Sequence, residues 1–116
     1  MQFVVEHIGL PARDPVKLKD WYVKVLGGEV VFDSRATPPV FMVRLPGPIL
    51  LEIGLSTNSV AQTSDNTVCG FRHLALQVKS IEEAQSQLGA RGAVFKGPIK
   101  PAAGGGRVLF FQDSIS

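Results

Sequence analysis

The chain has 116 residues, 45% apolar and 19% charged, which is enough for one domain with a core of its own and too apolar for a disordered segment. Twelve basic residues against 10 acidic ones leave a net charge of +2 without a basic cluster, an argument against nucleic acid as partner. Its apolar runs are far shorter than the roughly 20 residues that span a bilayer, so no membrane partner is expected. The N-terminus, Met-Gln-Phe-Val-Val-Glu, has neither a cationic leader nor a cleavage pattern. A single cysteine, Cys69, excludes an internal disulfide and fits a reducing, cytoplasmic setting; it reads as a small apolar filler at a strand entrance.

Residues 2 to 10 alternate loosely and are rich in Val, Phe and Ile, as a strand is. Asp14-Pro15 then starts a helix, with Asp14 as N-cap and Pro15 at a position where its missing N–H costs nothing. Leu18, Trp21, Tyr22, Val25 and Leu26 form one apolar helical face, the two aromatics being core residues, and Gly27-Gly28 closes the helix. Glu29 to Arg35 and Val40 to Leu45 read as strands separated by Thr37-Pro38-Pro39. Pro46-Gly47-Pro48 is a tight turn, and Ile49 to Leu55 is a fourth strand. The polar stretch 56–69 is the one linker-like segment.

The pattern then restarts. Phe71 to Val78 reads as a strand, Ser80-Ile81-Glu82-Glu83 as a capping box, and Ile81, Ala84 and Leu88 as a helical face ended by Gly89 and Gly92. Ala93 to Phe95 begins another strand. Residues 97–106 form a Gly- and Pro-rich loop, a flap or turn that lacks the helix a phosphate loop would need, and Arg107 to Gln112 is a further strand.

The repeat has a countable offset: His73 follows His7 by 66 residues, and Ser80 follows Asp14 by the same 66. The counterpart of Glu52 falls at position 118, beyond Ser116, so a further strand is expected past the end of this chain. Two halves, about 1–55 and 70–116, therefore make one α+β domain.

Three polar residues interrupt apolar strand runs: His7 in Glu6-His7-Ile8-Gly9-Leu10, Glu52 in Leu50-Leu51-Glu52-Ile53, and His73 in Arg72-His73-Leu74-Ala75-Leu76. A polar side chain in such a run faces solvent, finds a partner or binds something. Two imidazoles and a carboxylate on one concave sheet face would bind a divalent transition metal, with Zn, Ni, Co, Mn and Fe all admissible. Arg13, Arg35, Arg44 and Arg107 each read as a solvated charge before an anchor for an anionic substrate.

These motifs, together with Trp21-Tyr22…Leu26-Gly27 and Leu109-Phe110-Phe111-Gln112-Asp113, resemble the vicinal oxygen chelate superfamily of glyoxalase I, bleomycin resistance proteins and extradiol dioxygenases. The resemblance implies two βαβββ modules whose mixed sheets curl into a cup around a divalent metal, often in a homodimer with shared sites. It implies His7, Glu52 and His73 as metal ligands and Glu52 as a catalytic base, with a fourth ligand past Ser116. A fourth-strand carboxylate tilts the expectation towards a glyoxalase-type lyase or isomerase acting on a small α-hydroxycarbonyl or thioester substrate through an enediolate. The alternatives are a metal-free drug-binding protein of the bleomycin-resistance type and an Fe(II) extradiol-type dioxygenase. No residue pattern identifies the substrate or its binding residues.

Overall fold

Asp14 and Pro15 begin the first helix as their chemistry requires. In the computed structural model, which describes residues 1–2, 4–47, 49–57, 67, 69 and 73–114, helix α1 spans Pro15–Leu26. The Asp14 carboxylate accepts from the Lys17 N–H at 3.0 Å. At the other end Gly27 adopts φ 70°, and the N–H groups of Gly27 and Gly28 reach back to Val23 and Tyr22.

Strands β1 (His7–Gly9), β2 (Glu29–Asp33), β3 (Phe41–Leu45) and β4 (Ile49–Ile53) form one mixed sheet in the order β1-β4-β3-β2. β1 runs parallel to β4, and the other two pairs are antiparallel. Burial alternates along β3 and β4, as one-sided packing demands. Phe41, Val43, Leu45, Leu51 and Ile53 point to the side covered by Leu18 and Tyr22 of α1, and all of them are buried. Every buried residue among those described lies between Ala12 and Ile53.

The second half departs from the expected copy. Helix α2 spans Ile81–Ala90 and buries no residue; Ile81, Ala84 and Leu88 are only half-buried. Half of the capping box forms: Ser80 Oγ accepts from the Glu83 N–H at 3.2 Å, whereas the Glu83 carboxylate accepts from Gln87 Nε2. Gly89 sits inside the last turn, and Gly92, at φ 100°, follows the helix. The strand expected over 107–112 is split. β7 (Arg107–Val108) pairs with β6 (Lys100–Pro101), and β8 (Phe111–Gln112) pairs with β5 (Val94–Phe95). Residues 100–108 therefore form a hairpin, turned where Gly105 and Gly106 adopt positive φ.

Two expectations are corrected. Residues 73–78, placed in a strand by their alternation, form no ladder and are exposed; Phe71 and Arg72 lie outside the described residues. A strand is held only by a paired neighbour, as β1 is by β4, and none of the described residues pairs with 73–78. Cys69 is exposed and is no apolar filler. Most of the expected linker at 56–69 lies outside the described residues too. No helix among them is long and apolar enough to cross a membrane.

Candidate functional site

The parallel pairing of β1 with β4 sets His7 beside Leu50 and Gly9 beside Glu52; the Leu10 N–H donates to the Glu52 carbonyl at 2.8 Å and fixes that register. β3 continues both rows, with Arg44 beside Leu50 and Met42 beside Glu52, and β2 adds Glu29 beside Arg44 and Phe32 beside Met42. Paired residues share a face, so the side of the sheet turned away from α1 carries two rows. One is His7, Leu50, Arg44, Glu29; the other is Gly9, Glu52, Met42, Phe32. A register shift between Val30 and Phe32 puts Phe32 in its row; without it Val31 would stand there and Phe32 would point at the helix side.

On this face His7 Nε2 lies 4.0 Å from Glu52 Oε2, and both side chains are exposed. The other ring nitrogen, Nδ1, is 2.9 Å from Glu6 Oε1. With the proton on Nδ1, the imidazole donates to Glu6 and its Nε2 lone pair faces the Glu52 side. A ligating histidine is commonly backed by a carboxylate in this way. Bonds of roughly 2.0–2.2 Å to nitrogen and oxygen put two cis ligands of one ion roughly 3–3.4 Å apart. At 4.0 Å the pair is wider than that, and it supplies two donors where a catalytic divalent site takes three from protein.

His73 is not drawn into that pair. Its ring packs edge-on against Phe110, with centroids 6.0 Å apart. Among the described residues no three His, Cys, Asp or Glu side chains come together as a metal set. His7 and Glu52 are juxtaposed within the chain, and the third expected ligand is apart from them.

The other cations are sorted by the structure. Arg107 Nη1 lies 2.6 Å from Glu82 Oε1, and the contact holds that carboxyl below its ordinary range and raises the guanidinium. Arg91 reaches the Val25 carbonyl. Arg44 alone of the four arginines considered from the sequence stands in the His7–Glu52 face.

Two features escaped the sequence reading. Glu6 supports His7 although strand neighbours point to opposite faces; β1 starts only at His7, so that alternation does not govern Glu6. Tyr22, buried on α1, donates to Asp113 Oδ2 at 2.8 Å, and burial, the Asp113 charge and that hydrogen bond all push the phenol well above its ordinary value. Beside this tie lies an open cavity of about 330 Å³ walled by Trp21, Val94, Lys96, Gln112 and Asp113, a space distinct from the His7–Glu52 face.

The sequence matches the model of the Glyoxalase/Bleomycin resistance protein/Dioxygenase superfamily over residues 4–114. Among solved structures, the chain is similar to the glyoxalase family protein from Enterococcus faecalis: 28% identity, 97% of this chain and 90% of that one covered, TM-score 0.80. It is also similar to a member of the same superfamily from Sphaerobacter thermophilus DSM 20745, with 28% identity, 98% and 91% coverage and a TM-score of 0.70. The fosfomycin resistance protein FosX from Listeria monocytogenes, solved with Mn(II) and 1S,2S-dihydroxypropylphosphonic acid, shares the fold at 21% identity, with 97% and 86% coverage and a TM-score of 0.72. No curated protein matches the chain.

Proposed function

The chain belongs to the Glyoxalase/Bleomycin resistance protein/Dioxygenase superfamily, and from that premise we propose that it is a cytoplasmic, metal-dependent lyase or isomerase of glyoxalase type. Its substrate is a small α-hydroxycarbonyl or thioester compound. The observation that carries this reading is the His7–Glu52 pair at 4.0 Å, with Glu6 behind the imidazole. His7 and Glu52 would hold the ion from within one chain. A bound divalent metal supplies Lewis-acid polarisation of two neighbouring substrate oxygens. Glu52, a carboxylate at the edge of that site, moves the proton between adjacent carbons.

His73 comes to this site from a second copy of the chain. Each chain is one domain of two modules, about 1–55 and 70–116, and a homodimer completes each cup. Support comes from the second half itself. Leu74, Leu76 and Val78 alternate along an exposed stretch without a ladder, and Val94 and Phe110 are exposed as well. Apolar side chains at that density call for a covering surface.

Metal content by mass spectrometry, on protein purified without a metal-affinity tag, tests the reading. About one transition metal per chain, lost in His7→Ala and in His73→Ala, is expected. Turnover of α-oxoaldehyde hemithioacetals or epimerisation of acyl-CoA thioesters should disappear with it. Metal-free protein that gains no thermal stability from Ni, Zn, Co or Mn would overturn it.

A second reading has its own observation. Leu50, Met42 and the half-exposed Phe32 make an apolar strip on the same face, a floor on which a metal-free binding protein would hold a flat apolar compound.

A further inference from the structure

We propose that the cavity between α1 and the β5–β8 pair is a second binding site, which takes a small planar aromatic carboxylate with its ring on Trp21 and its carboxylate at Lys96. The site is separate from the His7–Glu52 face and needs no metal. Its volume of about 330 Å³ is within the range that holds a small ligand. Val94 pairs with Gln112 across β5 and β8, and the Lys96 N–H donates to the Phe110 carbonyl at 2.8 Å, which carries the pairing past β5. Residues two apart on a strand share a face, so Val94, Lys96 and Gln112 stand together, and all three wall the cavity. Trp21 walls it from α1. Its ring is held by Tyr22, edge-on with centroids 4.9 Å apart, and by Phe111 at 6.1 Å. A ring fixed in this way is a stacking platform that loses little further freedom when a ligand binds.

The competing reading is an ordinary solvated lysine beside a shallow groove. Two features of the wall favour a ligand. Lys100 lies over the Phe110 ring and Arg107 is held by Glu82, whereas Lys96 forms no ion pair among the described residues. The other charge on the wall, Asp113, accepts from the buried Tyr22 hydroxyl and repels a second anion. The two charges therefore orient a carboxylate towards Lys96 and away from Asp113. Val94, 72% exposed, adds apolar surface that a stacked ring would cover.

Trp21 is the only tryptophan of the chain, so its indole N–H gives one nuclear magnetic resonance signal at the cavity wall. The full isotope-labelled chain is titrated with 2-naphthoate and with its neutral counterpart, 2-naphthamide. Both should move the indole signal and the backbone signals of Gly92 and Gln112 saturably, while those of His7 and Glu52 stay in place. At low salt 2-naphthoate should bind about fivefold more tightly, with the preference shrinking as salt is raised. Lys96→Gln should erase the preference and leave 2-naphthamide affinity unchanged. Lys96→Arg should keep it, as should Lys100→Gln, whose lysine is engaged over Phe110. An indole signal that moves with neither compound, or shifts centred on His7 and Glu52, would overturn the site. Equal binding of the two compounds by the wild type, or a preference that survives Lys96→Gln, would overturn the assignment of its ligand.

Discussion

The Tyr22 hydroxyl donates to Asp113, 91 residues away in the chain, at 2.8 Å, and so ties the helix of the first half to the end of the second. Its proton is held more tightly in the folded protein than in the unfolded chain, where the ordinary value is 10.0. A raised folded-state value sets the sign. The stabilising effect is complete below about pH 10 and is lost as the pH rises beyond it, because the unfolded chain releases the proton first. Urea unfolding of Tyr22→Phe should show about 1–2 kcal/mol less stability at pH 8. The gap should narrow above pH 10. A gap constant through pH 11 contradicts this account.

Gly28 illustrates a requirement of space. A Cβ there would come 2.7 Å from Val43 Cγ1 and 3.2 Å from the Tyr22 carbonyl, and Val43 is fully buried under α1. Gly28→Ala should therefore cost about 1–3 kcal/mol, the usual range for overpacking. The clash has a named partner, so a double-mutant cycle checks it. Gly28→Ala with Val43→Ala should cost clearly less than the sum of the two single changes. Strict additivity would place the damage elsewhere.

The first half was legible in the sequence because local signals and tertiary contacts agree there. Asp14-Pro15, the Leu18–Tyr22–Val25 face and Gly27-Gly28 specify α1 without help, and the alternation in Phe41–Leu45 matches the buried side of β3. In His73-Leu74-Ala75-Leu76 the same alternation misleads. Periodicity records which residues suit a half-buried strand, and a ladder also needs a neighbour, which this segment lacks among the described residues. At the site, the residue types at His7 and Glu52 were readable. The Glu6 contact and the place of Arg44 were not, because both follow from register and from where β1 begins.

Glu6 gives the metal reading a graded prediction. Removing a ligand abolishes metal binding, whereas removing a carboxylate that orients a ligand weakens it by about 10- to 100-fold. In equilibrium titrations with Zn(II) or Ni(II), His7→Ala should bind no metal at the site. Glu6→Gln should bind at full stoichiometry with affinity lower by about tenfold. Wild-type affinity in Glu6→Gln would reduce the 2.9 Å contact to a surface pairing.

The two N-caps look alike in geometry and should differ in consequence. Asp14 accepts from the Lys17 N–H at 3.0 Å, and Ser80 accepts from the Glu83 N–H at 3.2 Å. Loss of either cap costs a helix about 1 kcal/mol. For α1 that loss falls on the helix that supplies Leu18, Tyr22 and Val25 to the core, so Asp14→Ala should lower the main unfolding transition by about the full amount. For α2, which buries no residue, the same loss falls on a helix with little tertiary support. Ser80→Ala should therefore speed amide hydrogen exchange in 81–90 while shifting the main transition much less. Exchange in β3 and β4 should accelerate in Asp14→Ala and stay unchanged in Ser80→Ala. Equal acceleration of the β3 and β4 amides in both variants would mean that α2 is coupled to the core through contacts its exposure does not reveal.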